Sequence, residues 1–353
     1  MKNPYDDLDD YHFWRRAISH LEPYRVDPVV APKFIIQNSD LVSTAGSCFA
    51  QHISRKLSAL GFNYYVPEQG LHLNPVDRLK DGYGVFSARF GNIYTIRQLL
   101  QLFEEAFEIR AKSESLWFKN NGIYVDPFRS GIDFSEMSQD EILKDRQLHL
   151  GCVREMFLNS DVFIFTLGLT ESWINSVSGD VFPLAPGVSG GSYDPTIYQF
   201  VNFNIDDSRD DLRLFLHQLK NINSKIKVLL TVSPVPLVAT FENCHVLTAT
   251  TYSKSVLRVV AEIVKQEFDW VDYFPSYEII TGSFNWGKYY EHDLRQINNR
   301  GVTHVMRCFL KNYTTAIEQD LDSTFLMVES KAMKDIVCDE ELINLVSVES
   351  VFK

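Results

Sequence analysis

Apolar residues recur along this chain with two periods. Phe49, Ile53, Leu57 and Leu60 fall at helical spacing over 48–60, and Gly61 follows as a stop. Leu99, Leu100, Phe103 and Phe107 mark a second helical face over 94–110. The same pattern predicts helices over 139–159, 206–222, 252–266 and 299–313. Between them lie short runs that are apolar throughout, 162–167 and 226–232, and two shorter β-compatible pieces, 40–45 and 270–274. A strand apolar on both faces is covered on both faces. Strands alternating with helices therefore predict an α/β protein built on a mostly parallel sheet.

Residues 1–34 are aromatic, charged and punctuated by proline, and read as an arm wrapped on the domain. A loop-rich stretch with Trp117, Tyr124, Asp126-Pro127-Phe128 and Arg129 reads as an insertion. Residues 316–353 form an acidic and apolar C-terminal extension with no legible chemistry.

In open parallel sheets, sites form beyond the carboxyl ends of the strands. Three motifs fall there: Gly46-Ser47, Gly168 to Glu171, and Ser233-Pro234. Ser47 stands where a strand turns into a helix. The free N–H groups and positive dipole end of that helix suit a developing oxyanion. The plainer reading of Ser47 is an ordinary N-cap.

Composition narrows the function. The chain has 353 residues, 45% of them hydrophobic, which is enough for a packed core. A net charge of −12 without a basic stripe argues against nucleic acid as a partner. No apolar run nears the ~20 residues of a membrane span, and the polar, acidic start lacks a signal peptide's core. The expected location is cytoplasmic. The five cysteines (Cys48, Cys152, Cys244, Cys308, Cys338) are scattered and read as reduced, mostly buried thiols. No metal-ligand spacing or dinucleotide fingerprint occurs, so neither a metal nor an organic cofactor is expected.

Gly46-Ser47-Cys48-Phe49-Ala50 resembles the motif that names the GSCFA family. Four further blocks resemble that family in order: Gly91-Asn92-Ile93-Tyr94-Thr95, Thr166 to Trp173, Thr231 to Leu237, and Tyr273 to Glu278. The resemblance covers about residues 35–315. It implies kinship with the SGNH/GDSL hydrolases, esterases and acyltransferases with a flavodoxin-like three-layer sandwich and a nucleophilic serine after the first strand. Carried onto this chain, Ser47 is the nucleophile. Gly168-Leu169-Thr170-Glu171 stands where SGNH enzymes have Gly-x-Asn-Asp, so Thr170 takes the place of an oxyanion asparagine with a shorter reach. Gly91, by its backbone, and Asn92, by its side chain, are further oxyanion donors. Glu171 either binds substrate or is a buried acid that pins the turn.

The resemblance also implies an Asp-x-x-His before the last helix. Here that place reads Asp293-Leu294-Arg295-Gln296, and glutamine is not a general base. His304 lies about 12 Å further along a helix, and His292 adjoins Asp293; either of them, or neither, takes the role. His52 reads as a structural contact and Ser233 as a turn closer. Pro186 to Gly191 reads as a flexible lip, and Tyr252, Lys254 and Arg258 as a solvated helical face. The implied function is a serine esterase or O-acyltransferase. It would act on a small-molecule or glycan acyl ester through an acyl-enzyme on Ser47. The contrasting expectation is a non-catalytic carbohydrate-binding or assembly protein with a degenerate site, which Gln296 favours.

Overall fold

The computed structural model describes residues 3–119, 122–315 and 343. The chain runs β1 (Val42–Gly46), α1 (Cys48–Ala59), α2 (Pro75–Lys80) and α3 (Ile96–Ala106). A small hairpin, β2 (Trp117–Lys119) and β3 (Ile123–Val125), precedes α4 (Gln139–Asn159) and β4 (Val162–Leu167). Then come β5 (Glu171–Asn175), β6 (Val181–Phe182), β7 (Tyr198–Asn202) and α5 (Ile205–Ile222). The last part is β8 (Lys227–Val232), α6 (Val246–Glu267), β9 (Val271–Tyr273), α7 (Ser276–Thr281) and α8 (Asn299–Tyr313).

The central sheet is parallel, in the order β1-β4-β8-β9. Tyr64 adds a single parallel bridge beside Val42, outside β1. Side chains alternate across the sheet as strand geometry requires. Phe163, Phe165 and Leu167 meet α3, α4, α5 and α6 on one face. Val162 and Ile164 meet α1, α7 and α8 on the other. The architecture is a three-layer α/β sandwich, as the alternation of strands and helices predicts.

Several features differ from the pattern read in the sequence. Residues 171–202 hold a second, antiparallel sheet, β6-β5-β7, where no strands were expected. Its strands are short and half-buried, so neither apolar run nor clean alternation marks them. Helix α6 starts at Val246, six residues before the expected Tyr252. The segment 186–191 is a packed turn against the hairpin: Gly191 N donates to Phe118 O (2.8 Å), and both Gly190 and Gly191 abut Trp117.

The insertion is braced by buried charge. Asp126 accepts from Arg129 Nε (2.8 Å) and from Arg146, and Arg129 pairs with Asp145 (2.7 Å). The arm carries only short helical turns. It is tied to the last helix and the sheet edge, with Asn312 Nδ2 donating to Asp27 Oδ2 (3.0 Å) and Lys33 N to Asp272 Oδ2 (2.8 Å). The extension 316–353 lies outside the described residues except for Ile343, as does the side chain of Cys48.

The parallel register brings Gly46, Thr166 and Thr231 side by side, so the loops that follow β1, β4 and β8 leave one edge together. Gly46 has φ +138, and a methyl there would stand 2.4 Å from Thr166 O. Gly46→Ala should therefore lower stability by at least about 2 kcal/mol. Gly61→Ala, at φ +75 but in open space, should cost about 1 kcal/mol. Urea midpoints of the two variants check this ordering.

Candidate functional site

Ser47 occupies the N-cap position of α1, with extended backbone (φ −75, ψ 178). Its side chain does not cap the helix. The residue is 3% exposed, and its hydroxyl has no hydrogen-bond partner among the described residues. Elsewhere caps form as usual: Thr95 on α3, Ser138 on α4, Asn204 on α5 and Asn298 on α8 each accept from a first-turn N–H. Ser47 is thus an orphaned buried hydroxyl at a helix N-terminus.

Three segments close around it. Ile93 N donates to Gly46 O (2.9 Å). Gly168 N and Leu169 N both donate to Tyr94 O (3.1 and 3.0 Å). Gln98, on the first turn of α3, holds the loop between them: its Nε2 donates to Asn92 O (3.1 Å) and its Oε1 accepts from Tyr94 N (3.0 Å). The approach leaves no room for a side chain at 168, where a Cβ would lie 2.8 Å from Tyr94 O and 3.2 Å from Ser47 Cβ. Gly46-Ser47, Gly91 to Thr95 and Gly168-Leu169 are therefore one constellation. Gly91 supplies the turn into the loop (φ +68), and Asn92 is buried within it.

The remaining expected residues are placed otherwise. Thr170 N donates to Ser253 Oγ (3.0 Å) and its hydroxyl donates to Asn202 Oδ1 (2.6 Å). Both of its donors are engaged with these neighbours. Glu171 accepts from Thr240 Oγ1 (2.7 Å) and Phe241 N (3.3 Å). Burial raises its pKa while these bonds oppose the rise. These bonds pin the turn that follows β4 to the segment carrying Thr240 and Phe241.

Asp293 is exposed, and its Oδ1 accepts from Arg295 N and Gln296 N (2.9 Å each). It closes a local turn and orients no histidine. His304, the first expected base, is bonded to the arm and to α8's neighbour Tyr289. Its Nε2 donates to Val26 O (2.7 Å), which leaves Nδ1 to accept from Tyr289 OH (2.8 Å). Both ring nitrogens are occupied, and burial lowers its pKa to about 4. His292 sits exposed in the loop. His52 is buried beside Phe49, and burial, with Arg55 and Lys56, lowers its pKa to about 3.

One residue read as solvated is not. Lys254 is 2% exposed, and its Nζ donates to Gly168 O (2.5 Å) on the turn that touches Ser47. A signal was present: Ala249, Ser253, Leu257 and Ala261 repeat every four residues, and Lys254 borders that buried stripe. Tyr252 is exposed, and Arg258 pairs with Glu278 (2.7 Å) and Glu262 (3.0 Å). Ser233 Oγ accepts from Val235 N (3.3 Å), closing a turn as expected. Among the described residues no group of three or more His, Cys, Asp or Glu could hold a metal ion, and no helix is long and apolar enough to cross a membrane.

Fold and site together define a three-layer α/β protein with an orphaned serine at the carboxyl edge of its parallel sheet. The chain belongs to the GSCFA family, whose sequence model matches residues 41–309. No curated protein and no solved structure matches it.

Because Ser47 caps nothing and its buried hydroxyl has no partner among the described residues, Ser47→Ala should not destabilise the fold and should raise stability by about 1 kcal/mol or more. Thr95→Ala, which removes a working cap, should cost about 1 kcal/mol. Thermal or urea denaturation separates the two. Acid sensitivity follows from the histidines. Between pH 6.5 and about 4 the unfolded chain binds protons at His304 and His52 that the folded chain refuses. Stability should therefore fall as pH drops through that window. His304→Gln should flatten the dependence of the urea midpoint there.

Proposed function

We propose that this protein is an SGNH-like serine esterase or O-acyltransferase that carries its acyl group on Ser47. The observation that supports this reading is the orphaned hydroxyl. Leaving a buried hydroxyl without a partner costs about 1–3 kcal/mol, and a capping rotamer would avoid that cost. The arrangement is useful where an incoming carbonyl and a transferred proton supply the missing partners. Attack by Ser47 Oγ on an acyl ester would place the oxyanion near the N–H groups at the start of α1, ahead of Ala50, whose own N–H donates to Ser47 O (2.9 Å).

The proton acceptor in this reading is Lys254. Neither His304 nor His292 is oriented toward this role, and serine–lysine pairs are an alternative to the triad. The neutral amine would leave Gly168 O, take the Ser47 proton and return it to the departing alcohol. Water or a hydroxyl acceptor then resolves the acyl-enzyme. The substrate is an acyl ester of a small molecule or glycan, by analogy of fold, and the protein acts in the cytoplasm without a cofactor. A second reading, a non-catalytic carbohydrate-binding or assembly protein, is favoured by Gln296 and by the closed bonding of His304.

Hydrolysis of a p-nitrophenyl ester panel separates the two readings. Wild type should exceed Ser47→Ala on at least one ester. Lys254→Met should lower kcat by about 100-fold or more, the usual worth of a general base. A wild type no faster than Ser47→Ala on every ester would favour the binding protein.

A further inference from the structure

Beside the Gly168 turn lies a groove of about 260 Å³, between the segments that follow β4 and β8. Leu169 lines it, next in sequence to the glycine that abuts Ser47. Trp173, Phe200 and Phe241 form one wall, with ring centroids 4.9–5.8 Å apart, and Leu184 and Leu237 line the rest. Phe241 stands at the mouth, 62% exposed. Ile343 of the C-terminal extension borders the same groove, so an aliphatic group already lies against it.

The polar groups inside are engaged with one another. Glu171 accepts from Thr240 and Phe241, as described above, and Ser172 Oγ donates to Phe182 O (2.8 Å). A sugar ring entering here would have to give up water around its hydroxyls with little in return. A hydrocarbon chain loses no hydrogen bonds and gains about fourfold in affinity per buried methylene.

We propose that this groove binds the aliphatic chain of the acyl group, so that the substrate is an ester of a fatty acid considerably longer than acetate. The inference rests on the Ser47 reading for its chemistry, but the binding itself does not need the serine. Ala185 also lines the groove and is on none of the segments that close around Ser47, and Ala185→Phe should fill part of it.

Two measurements test this. With p-nitrophenyl esters from acetate to decanoate, kcat/KM should climb with chain length, and Ala185→Phe should flatten the climb while leaving the acetate rate unchanged. In parallel, decanoate should change the fluorescence of Trp173 saturably in wild type and in Ser47→Ala, and Trp173→Phe should remove the signal. A decanoate response without ester hydrolysis would uphold the groove and overturn the Ser47 reading. Hydrolysis that favours acetate, with no decanoate response in wild type, would overturn the groove and leave the Ser47 reading standing.

Discussion

The carbonyl of Tyr94 is the point on which the carboxyl edge of the sheet depends. It accepts two backbone N–H groups, from Gly168 and Leu169, while the neighbouring Ile93 N–H holds the carbonyl of Gly46. These bonds close the ends of β1 and β4 over one loop. Backbone can approach backbone so tightly only where a Cβ is absent, which accounts for glycine at both 46 and 168. The loop in turn is anchored by Gln98, whose helix α3 is packed into the main core through Leu99 and Phe103. Core packing thus fixes the position of Ser47.

What the clamp creates is a dry place for one hydroxyl. Several polar groups near it are paired off, Thr170 with Ser253 and Asn202, Glu171 with Thr240 and Phe241, Lys254 with Gly168, while the buried hydroxyl of Thr166 has, like that of Ser47, no partner among the described residues. Charge acts over longer distances in such surroundings than in water. On the face of the sheet that carries α1 and α8, the same economy of bonding closes His304 between the arm and Tyr289.

Much of this was legible in the chain. The limits of α4 and β4 agree with the expected 139–159 and 162–167, because long apolar periods and unbroken apolar runs leave little ambiguity. Ser47 at a strand-to-helix turn was legible for the same reason. The partners of polar side chains were not. Helical periodicity gives the face on which His304 lies, but its partner Val26 is 278 residues away in sequence. Glu171 could be read two ways until the loop carrying Thr240 and Phe241 folded back on it. Lys254 was misread because charge usually marks solvent, and the backbone oxygen of Gly168 gives its buried amine a partner that the sequence does not show.

The central claim is that the orphaned hydroxyl of Ser47 is a reacting group. Treatment of the folded protein with a serine-directed fluorophosphonate, followed by peptide mass mapping, tests it directly. A single stoichiometric adduct on Ser47, absent after Lys254→Met or after unfolding, is the result expected here. No adduct on wild type, or an adduct on another serine with Ser47 unmodified, would contradict it.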